Sequence, residues 1–325
     1  MERIAVIGAG AWGTALAIQA ARAGGEVRLW ARDGARAAAM QAARENAAHL
    51  PGHRLPEGVT VTADAAAALE GAGLALLVVP AQHMAAVLER LPALPPSLVA
   101  AKGVTREGLR LPLETLALSH PALPAGVLSG PNFATEVAAG LPAAAVVAST
   151  HPELREAAAA RLATPAFRLY GQDDPVGAQV GGAAKNVIAI AAGAVMGAGL
   201  GENARAALVT RGLSEIARLA EALGGRADTI SGLSGLGDLL LTCTGPGSRN
   251  FSLGFALGRG ETLAAILAAR NSVTEGVATA PALLARATAA GVDMPITAAV
   301  ADVLAGKVDV AGAMQALLAR PRRTE

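Results

Sequence analysis

Gly8, Gly10 and Gly13 stand in the run Gly8-Ala9-Gly10-Ala11-Trp12-Gly13, just after the apolar stretch Ile4–Ile7 and just before an alanine-rich segment. Glycines at this spacing permit a tight turn and let a pyrophosphate approach the backbone, while the amides and dipole of a following helix face the phosphates. A turn kept only for packing is the competing reading, but its place near the chain start, between a strand and a helix, points to a dinucleotide. Arg32 follows Leu29-Trp30-Ala31, and Asp33 comes next. Sites selective for NAD usually carry an acid there, on the ribose hydroxyls, whereas an arginine suits the 2′-phosphate of NADP. NADP use fits Arg32, and NAD stays open.

Further chemistry-bearing residues follow along the chain. Lys102 ends the strand-like Leu98–Ala101, at the sheet edge where ligands of parallel sheets bind. Ser129-Gly130-Pro131-Asn132 ends another strand and opens a helix, so its amides and the Asn132 side chain could meet a substrate, or Asn132 could simply cap the turn. Lys185 has Gly181, Gly182, Ile188 and Ala189 as helical neighbours. Small apolar surroundings disfavour an ammonium and would lower its pKa toward the range useful for proton transfer. The alternative is a lysine whose stem lies along a domain seam. Asp238 sits in the glycine-rich segment 231–238, close enough to backbone to approach a ligand. Ser248-Arg249-Asn250 follows Gly245-Pro246-Gly247 and opens a helix, giving a hydroxyl, a guanidinium and an amide at a helix N-terminus, which reads as an anion site.

The elements that must position these groups change character midway. Ile4–Ile7, the glycine turn, the helix Thr14–Ala23 and Val27–Trp30 make one βαβ unit. Leu74–Val79, Leu98–Ala101, Gly126–Ser129, Ala144–Ala148 and Phe167–Tyr170 read as further strands with helices between most of them. That alternation predicts an α/β fold, a Rossmann-type, mainly parallel sheet covered on both faces. After Asp173-Asp174-Pro175, an acidic cap with proline in the first turn, the segments around 205–223, 251–269, 278–290 and 296–305 all read as helices. The expected division is 1–174 for a NAD(P)-binding domain and 175–325 for an all-α substrate domain.

Composition narrows the partners. The 325 residues exceed one ordinary core, in keeping with two domains. The longest uncharged apolar run, 187–201, falls short of the roughly 18 residues of a spanning helix and is rich in glycine and alanine, so it reads as a buried helix. The start MERIAVIGAG shows no export signal, and Cys243 is the only cysteine, so a reducing, cytoplasmic setting is expected. A net charge of +1 and 2% aromatics give no reason to expect nucleic acid or membrane insertion. His49 and His53 flank Pro51-Gly52, which breaks any helix that could align them, and no metal site is expected.

Several segments together resemble the bacterial NAD(P)-dependent glycerol-3-phosphate dehydrogenases: 8–17, Ala101-Lys-Gly103, 129–136, Lys185-Asn-Val187, Gly235-Leu-Gly-Asp-Leu239, Ser248-Arg-Asn250 and Val273-Thr-Glu-Gly276. The resemblance implies that Lys185 transfers the proton and that Lys102, Gly130, Asn132, Asp238, Ser248, Arg249 and Asn250 surround the substrate. It places Ala11, Trp12, Arg32, Lys102, Ala134, Arg249, Val273 and Glu275 against the cofactor, beside Gly8, Gly10 and Gly13. The family commonly has Thr or Ser where this chain has Asn132. The implied reaction is reversible hydride transfer between NAD(P)H and C2 of dihydroxyacetone phosphate, giving sn-glycerol 3-phosphate for phospholipid synthesis. Lys185 and Lys102 would stabilise charge on the carbonyl oxygen, and 248–250 would hold the phosphate. A homodimer is compatible with the resemblance. Two alternatives are a 3-hydroxyacid dehydrogenase of the 6-phosphogluconate or hydroxyisobutyrate type, disfavoured by Ser-Arg-Asn and Gly-Leu-Gly-Asp, and a non-catalytic NAD(P) sensor, disfavoured by Lys185 with Asp238.

Overall fold

A computed structural model describes residues 3–269 and 274–321. The chain divides into two compact units, Met1–Lys102 with Leu111–Ala178, and Gly103–Arg110 with Gln179–Glu325. The division thus falls four residues later than 174/175, inside a helix, and the short segment Gly103–Arg110 belongs with the second unit. One tie that keeps this segment there is the Arg286 guanidinium, which donates to the Leu109 carbonyl at 2.7 Å.

The first unit is built on short apolar strands: β1 (Arg3–Ile7), β2 (Val27–Trp30), β3 (Glu45–Asn46), β4 (Leu50–Arg54), β5 (Val59–Thr62), β6 (Ala72–Leu77), β7 (Ser97–Val99), β8 (Ala125–Ser129), β9 (Ala143–Ala148) and β10 (Phe167–Gln172). Its helices are α1 (Ala11–Arg22), α2 (Gly34–Ala43), α3 (Ala65–Leu69), α4 (Met84–Leu88), α5 (Pro112–Ser119), α6 (Ala134–Ala139) and α7 (Pro152–Leu162). Eight strands form one sheet in the order β10-β9-β8-β7-β6-β1-β2-β5, while β3 and β4 pair as a separate ribbon. All pairings in the large sheet are parallel except β8 with β9. Strand β1 shows why the strands are apolar throughout: Ile4 and Val6 enter the core on one face, Ala5 and Ile7 the core on the other. The order reverses at β1, flanked by β2 and β6, and the glycine turn leaves the carboxyl end of β1 at that switch point, where such sheets bind ligands.

The second unit is helical: α8 (Pro175–Gly197) begins in the first unit and runs into it, followed by α9 (Gly201–Ala222), α10 (Ala227–Ser231), a π-helical turn over Leu233–Gly237, α11 (Asp238–Cys243), α12 (Arg249–Gly258), α13 (Leu263–Ala268), α14 (Glu275–Ala289), α15 (Pro295–Leu304) and α16 (Val310–Leu318). Asp174 caps α8, its carboxylate accepting from the Gly177 amide at 2.8 Å. At 23 residues α8 passes the length and composition of a membrane span, so the shortness of the 187–201 run does not decide that question; the burial of 89% of its most apolar window inside protein accounts for its character.

Helices α8 and α12 touch backbone to backbone. A Cβ on Gly193 or Gly197 would fall 2.0 Å from the Phe251 carbonyl oxygen or 2.1 Å from that of Phe255. Reciprocally, a Cβ on Gly254 or Gly258 would fall 1.9 Å from the Ile190 oxygen or 2.2 Å from that of Ala194. Each helix therefore presents two glycines four residues apart to the other, the spacing that lets axes approach closely.

Candidate active site

In the first unit the glycine turn has the geometry of a dinucleotide cradle. Gly8 has φ +120°, and a Cβ there would lie 2.7 Å from the Val78 carbonyl oxygen. A Cβ on Gly13 would lie 1.8 Å from the Gly8 oxygen, whereas one on Gly10 would meet nothing within 4 Å. The outer glycines are required by the fold, and Gly10 opens onto free space. Gly10 is also the N-cap of α1 and offers no side-chain cap, which leaves first-turn amides for an anion, so the residues present fit a pyrophosphate. Ala11 and Trp12 form that first turn, half-buried and packed on the core.

The turn is held from beneath by residues the sequence reading did not single out. The Ala9 carbonyl accepts from Asn46 Nδ2 at 3.0 Å and from Arg36 Nη2. Asn46, wholly buried in β3, also donates to Thr14 Oγ1 at 2.7 Å, and that hydroxyl donates to the Gly10 carbonyl at 2.8 Å. Arg32 is exposed after β2, and the Asp33 carboxylate accepts from the Arg36 amide at 2.7 Å to cap α2. Burial lowers the pKa of Arg36 from its ordinary value; neighbouring Asp33 opposes that shift and Arg32 adds to it.

Lys102 and the 129–132 turn come together: Lys102 Nζ donates to the Gly130 carbonyl at 3.2 Å. Gly130 has φ +135°, and a Cβ there would press within 3.1 Å of the Ala145 Cα. Asn132 does not cap the following helix, whose N-cap is Phe133 and whose first residue is Ala134. Its Nδ2 donates to the Ala144 carbonyl at 3.0 Å, while Asn132 Oδ1 and Ser129 Oγ are buried without a hydrogen-bond partner among the described residues. A buried acceptor left open in this way is available to a ligand donor.

In the second unit Lys185 is buried in α8 and donates to the Asp238 carboxylate and, at 3.0 Å, to Thr242 Oγ1. Asp238 is 0% exposed, so each charge is the other's compensation. The packing that sets this register is backbone on backbone: a Cβ on Gly181, one turn before Lys185, would fall 2.6 Å from the Ser234 oxygen, one turn before Asp238. Thr242 lies one turn after Asp238 and donates to its carbonyl at 2.6 Å. That i, i+4 relation to an acid was the available signal for Thr242. Cys243, next in the chain, is buried, and that burial pushes its thiol up to about 12.

Asn250 differs from the anion-site expectation, whereas Ser248 takes a capping role. Ser248 is the N-cap of α12, its hydroxyl oxygen accepting from the Phe251 amide at 3.2 Å. Asn250 is buried and turned inward: its Nδ2 donates to Asn186 Oδ1 at 2.9 Å and its Oδ1 accepts from the Gly276 amide at 3.0 Å. The phase of α12 turns Asn250 onto the core and leaves Arg249 exposed. Asn250 thereby links the residue after Lys185 to the start of α14, where Glu275 is the first residue. Val273 lies outside the described residues.

A family model described as NAD-dependent glycerol-3-phosphate dehydrogenase N-terminus matches residues 3–155, and its C-terminus counterpart matches residues 174–315. The chain belongs to the NAD-dependent glycerol-3-phosphate dehydrogenase family. Glycerol-3-phosphate dehydrogenase [NAD(P)+] of Rhodospirillum rubrum is 52% identical, with 100% of this chain and 94% of the relative covered. That of Parvibaculum lavamentivorans is 50% identical, with coverage of 100% and 98%. A crystal structure of glycerol-3-phosphate dehydrogenase from Coxiella burnetii is 40% identical and superposes with a TM-score of 0.94, covering 98% of this chain and 99% of its own. Family membership sets aside the 3-hydroxyacid dehydrogenase alternative.

Proposed function

We propose that the chain catalyses reversible hydride transfer between NAD(P)H and C2 of dihydroxyacetone phosphate, with Lys185 as the proton donor to the carbonyl oxygen. The observation that carries this reading is the buried Lys185 ammonium, oriented by Asp238 and Thr242 inside a chain matched from end to end by glycerol-3-phosphate dehydrogenases. The bound nicotinamide supplies the hydride. Negative charge then develops on the substrate oxygen, and a fixed ammonium in a water-poor helix stabilises it and gives up a proton. In the reverse direction the same amine receives the proton from the C2 hydroxyl.

Gly8, Gly10, Ala11, Trp12 and Gly13 would hold the cofactor pyrophosphate, with Ala134 and Glu275 against the cofactor and Arg32 on the adenosine ribose. Lys102, Gly130 and Asn132 would contact substrate through the Lys102 amine, the Gly130 backbone and the open Asn132 Oδ1. Arg249 and the α12 amides, with the remaining donor of Ser248, would hold the substrate phosphate, while Asn250 acts by positioning them. The product suits phospholipid synthesis in the cytoplasm. Initial rates with dihydroxyacetone phosphate and with unphosphorylated dihydroxyacetone test the reading. The phosphorylated ketone should be turned over efficiently and the other barely, and equal kcat/KM for both would overturn it.

A further inference from the structure

Arg36 carries more charge than its visible partners use. It stands four residues after Arg32, in the first turn of α2, and its guanidinium reaches back to the Ala9 carbonyl inside the glycine turn. Its tip therefore sits at the turn that faces the pyrophosphate, within electrostatic reach of Arg32 after β2, the strand whose end in dinucleotide sites faces the adenosine ribose. Asn46 already donates to the same carbonyl at 3.0 Å, so holding the turn needs no second, cationic donor. The Arg36 Nε is buried with no hydrogen-bond partner among the described residues. Asp33, three residues before it, has its carboxylate on the Arg36 backbone amide as the α2 cap. A guanidinium fixed at this corner with an unanswered buried N–H, near a second arginine, calls for an anion. Burial and Arg32 already work against its charge, and an added dianion would reverse that penalty.

We propose that Arg36 is a second cation for the 2′-phosphate of NADP, acting with Arg32 to favour NADP over NAD. This rests on the reading of the glycine turn and Arg32 as the cofactor site. NAD presents only a neutral hydroxyl at that position, so Arg36 contributes to selectivity as well as to affinity.

The test is direct titration of the protein with NADPH and with NADH, without substrate, for wild type, Arg36→Gln, Arg36→Lys and Arg32→Gln, with thermal midpoints of each. Arg36→Gln should weaken NADPH roughly 10- to 100-fold, as for a lost hydrogen bond to a charged group, and leave NADH within about twofold. Arg36→Lys, which keeps charge but loses the fork, should lower the NADPH preference about severalfold. Equal weakening of both cofactors by Arg36→Gln would make Arg36 a clamp on Ala9 and overturn the proposal, as would no weakening of either. If Arg32→Gln is selective against NADPH and the Arg36 variants are not, only the Arg36 inference fails. If no variant changes the ratio, the ribose-facing reading of this corner fails with it. Should Arg36→Gln not fold, an unchanged ratio in Arg36→Lys is the overturning result.

Discussion

Replacing Lys185 by Met deletes the proton donor and also strips a wholly buried carboxylate of its counter-charge. The first loss costs turnover, about 10²–10⁴-fold for general-acid help alone. The second costs stability, about 3–5 kcal/mol for a broken buried pair, because Asp238 is 0% exposed. Side-chain volume alone would let the Met variant stay folded, so its activity cannot be read without the thermal midpoint. Adding Asp238→Asn should restore part of the midpoint and none of the turnover. A double variant that recovers kcat would remove Lys185 from the chemistry. Lys185 was legible in the sequence because its helical neighbours are small and apolar, and Asp238 because of the glycines around it. That they pair was not legible, since 53 residues separate them and the register comes from Gly181 against Ser234. Asn250 shows the opposite limit: its residue type suited an anion site, but only the helix phase shows that it faces inward.

Among the elements, Glu215 is the clearest case of one helix finishing another. Buried in α9, its carboxylate accepts from the Ile296 and Thr297 amides at 2.7 and 3.2 Å and from Thr297 Oγ1 at 3.2 Å, capping α15. Burial raises its pKa from 4.5, and the donors on α15, together with Arg218, offset that only in part. A raised carboxyl contributes stability that is fully present below the unfolded value and lost as pH rises through the folded one. Glu215→Gln does not titrate, so the midpoint of wild type relative to this variant should fall as pH increases from about 4.5 toward neutrality. A difference independent of pH would show that Glu215 has the same pKa in the folded and unfolded chain. The main strands were legible because each is a short apolar run; β5 and the β3–β4 ribbon were not. Val59–Thr62 alternates buried and exposed residues at the sheet edge, and Pro51-Gly52 inside β4 reads as a turn. The antiparallel pairing of β9 leaves no local mark, because it depends on the path between β8 and β9 and not on either strand.

For the molecule as a whole, the α8–α12 contact leaves almost no tolerance. The glycines of 187–201 suggested close packing from sequence, but their partners Gly254 and Gly258 were visible only once the helices were placed. Gly254→Ala puts a methyl 1.9 Å from the Ile190 oxygen, so the helices must separate. Overpacking costs about 1–3 kcal/mol and occasionally more, and a backbone obstacle belongs at the upper end, a midpoint loss of roughly 6 °C or more. An unchanged midpoint would show the pair to be loosely packed. The contact also has a genetic reading. Every missense change in a glycine codon attaches at least one carbon to the Cα, so at these positions the neighbouring codons hold no mild alternative. In intact copies of the gene, variation at Gly193, Gly197, Gly254 and Gly258 should be confined to the silent third base.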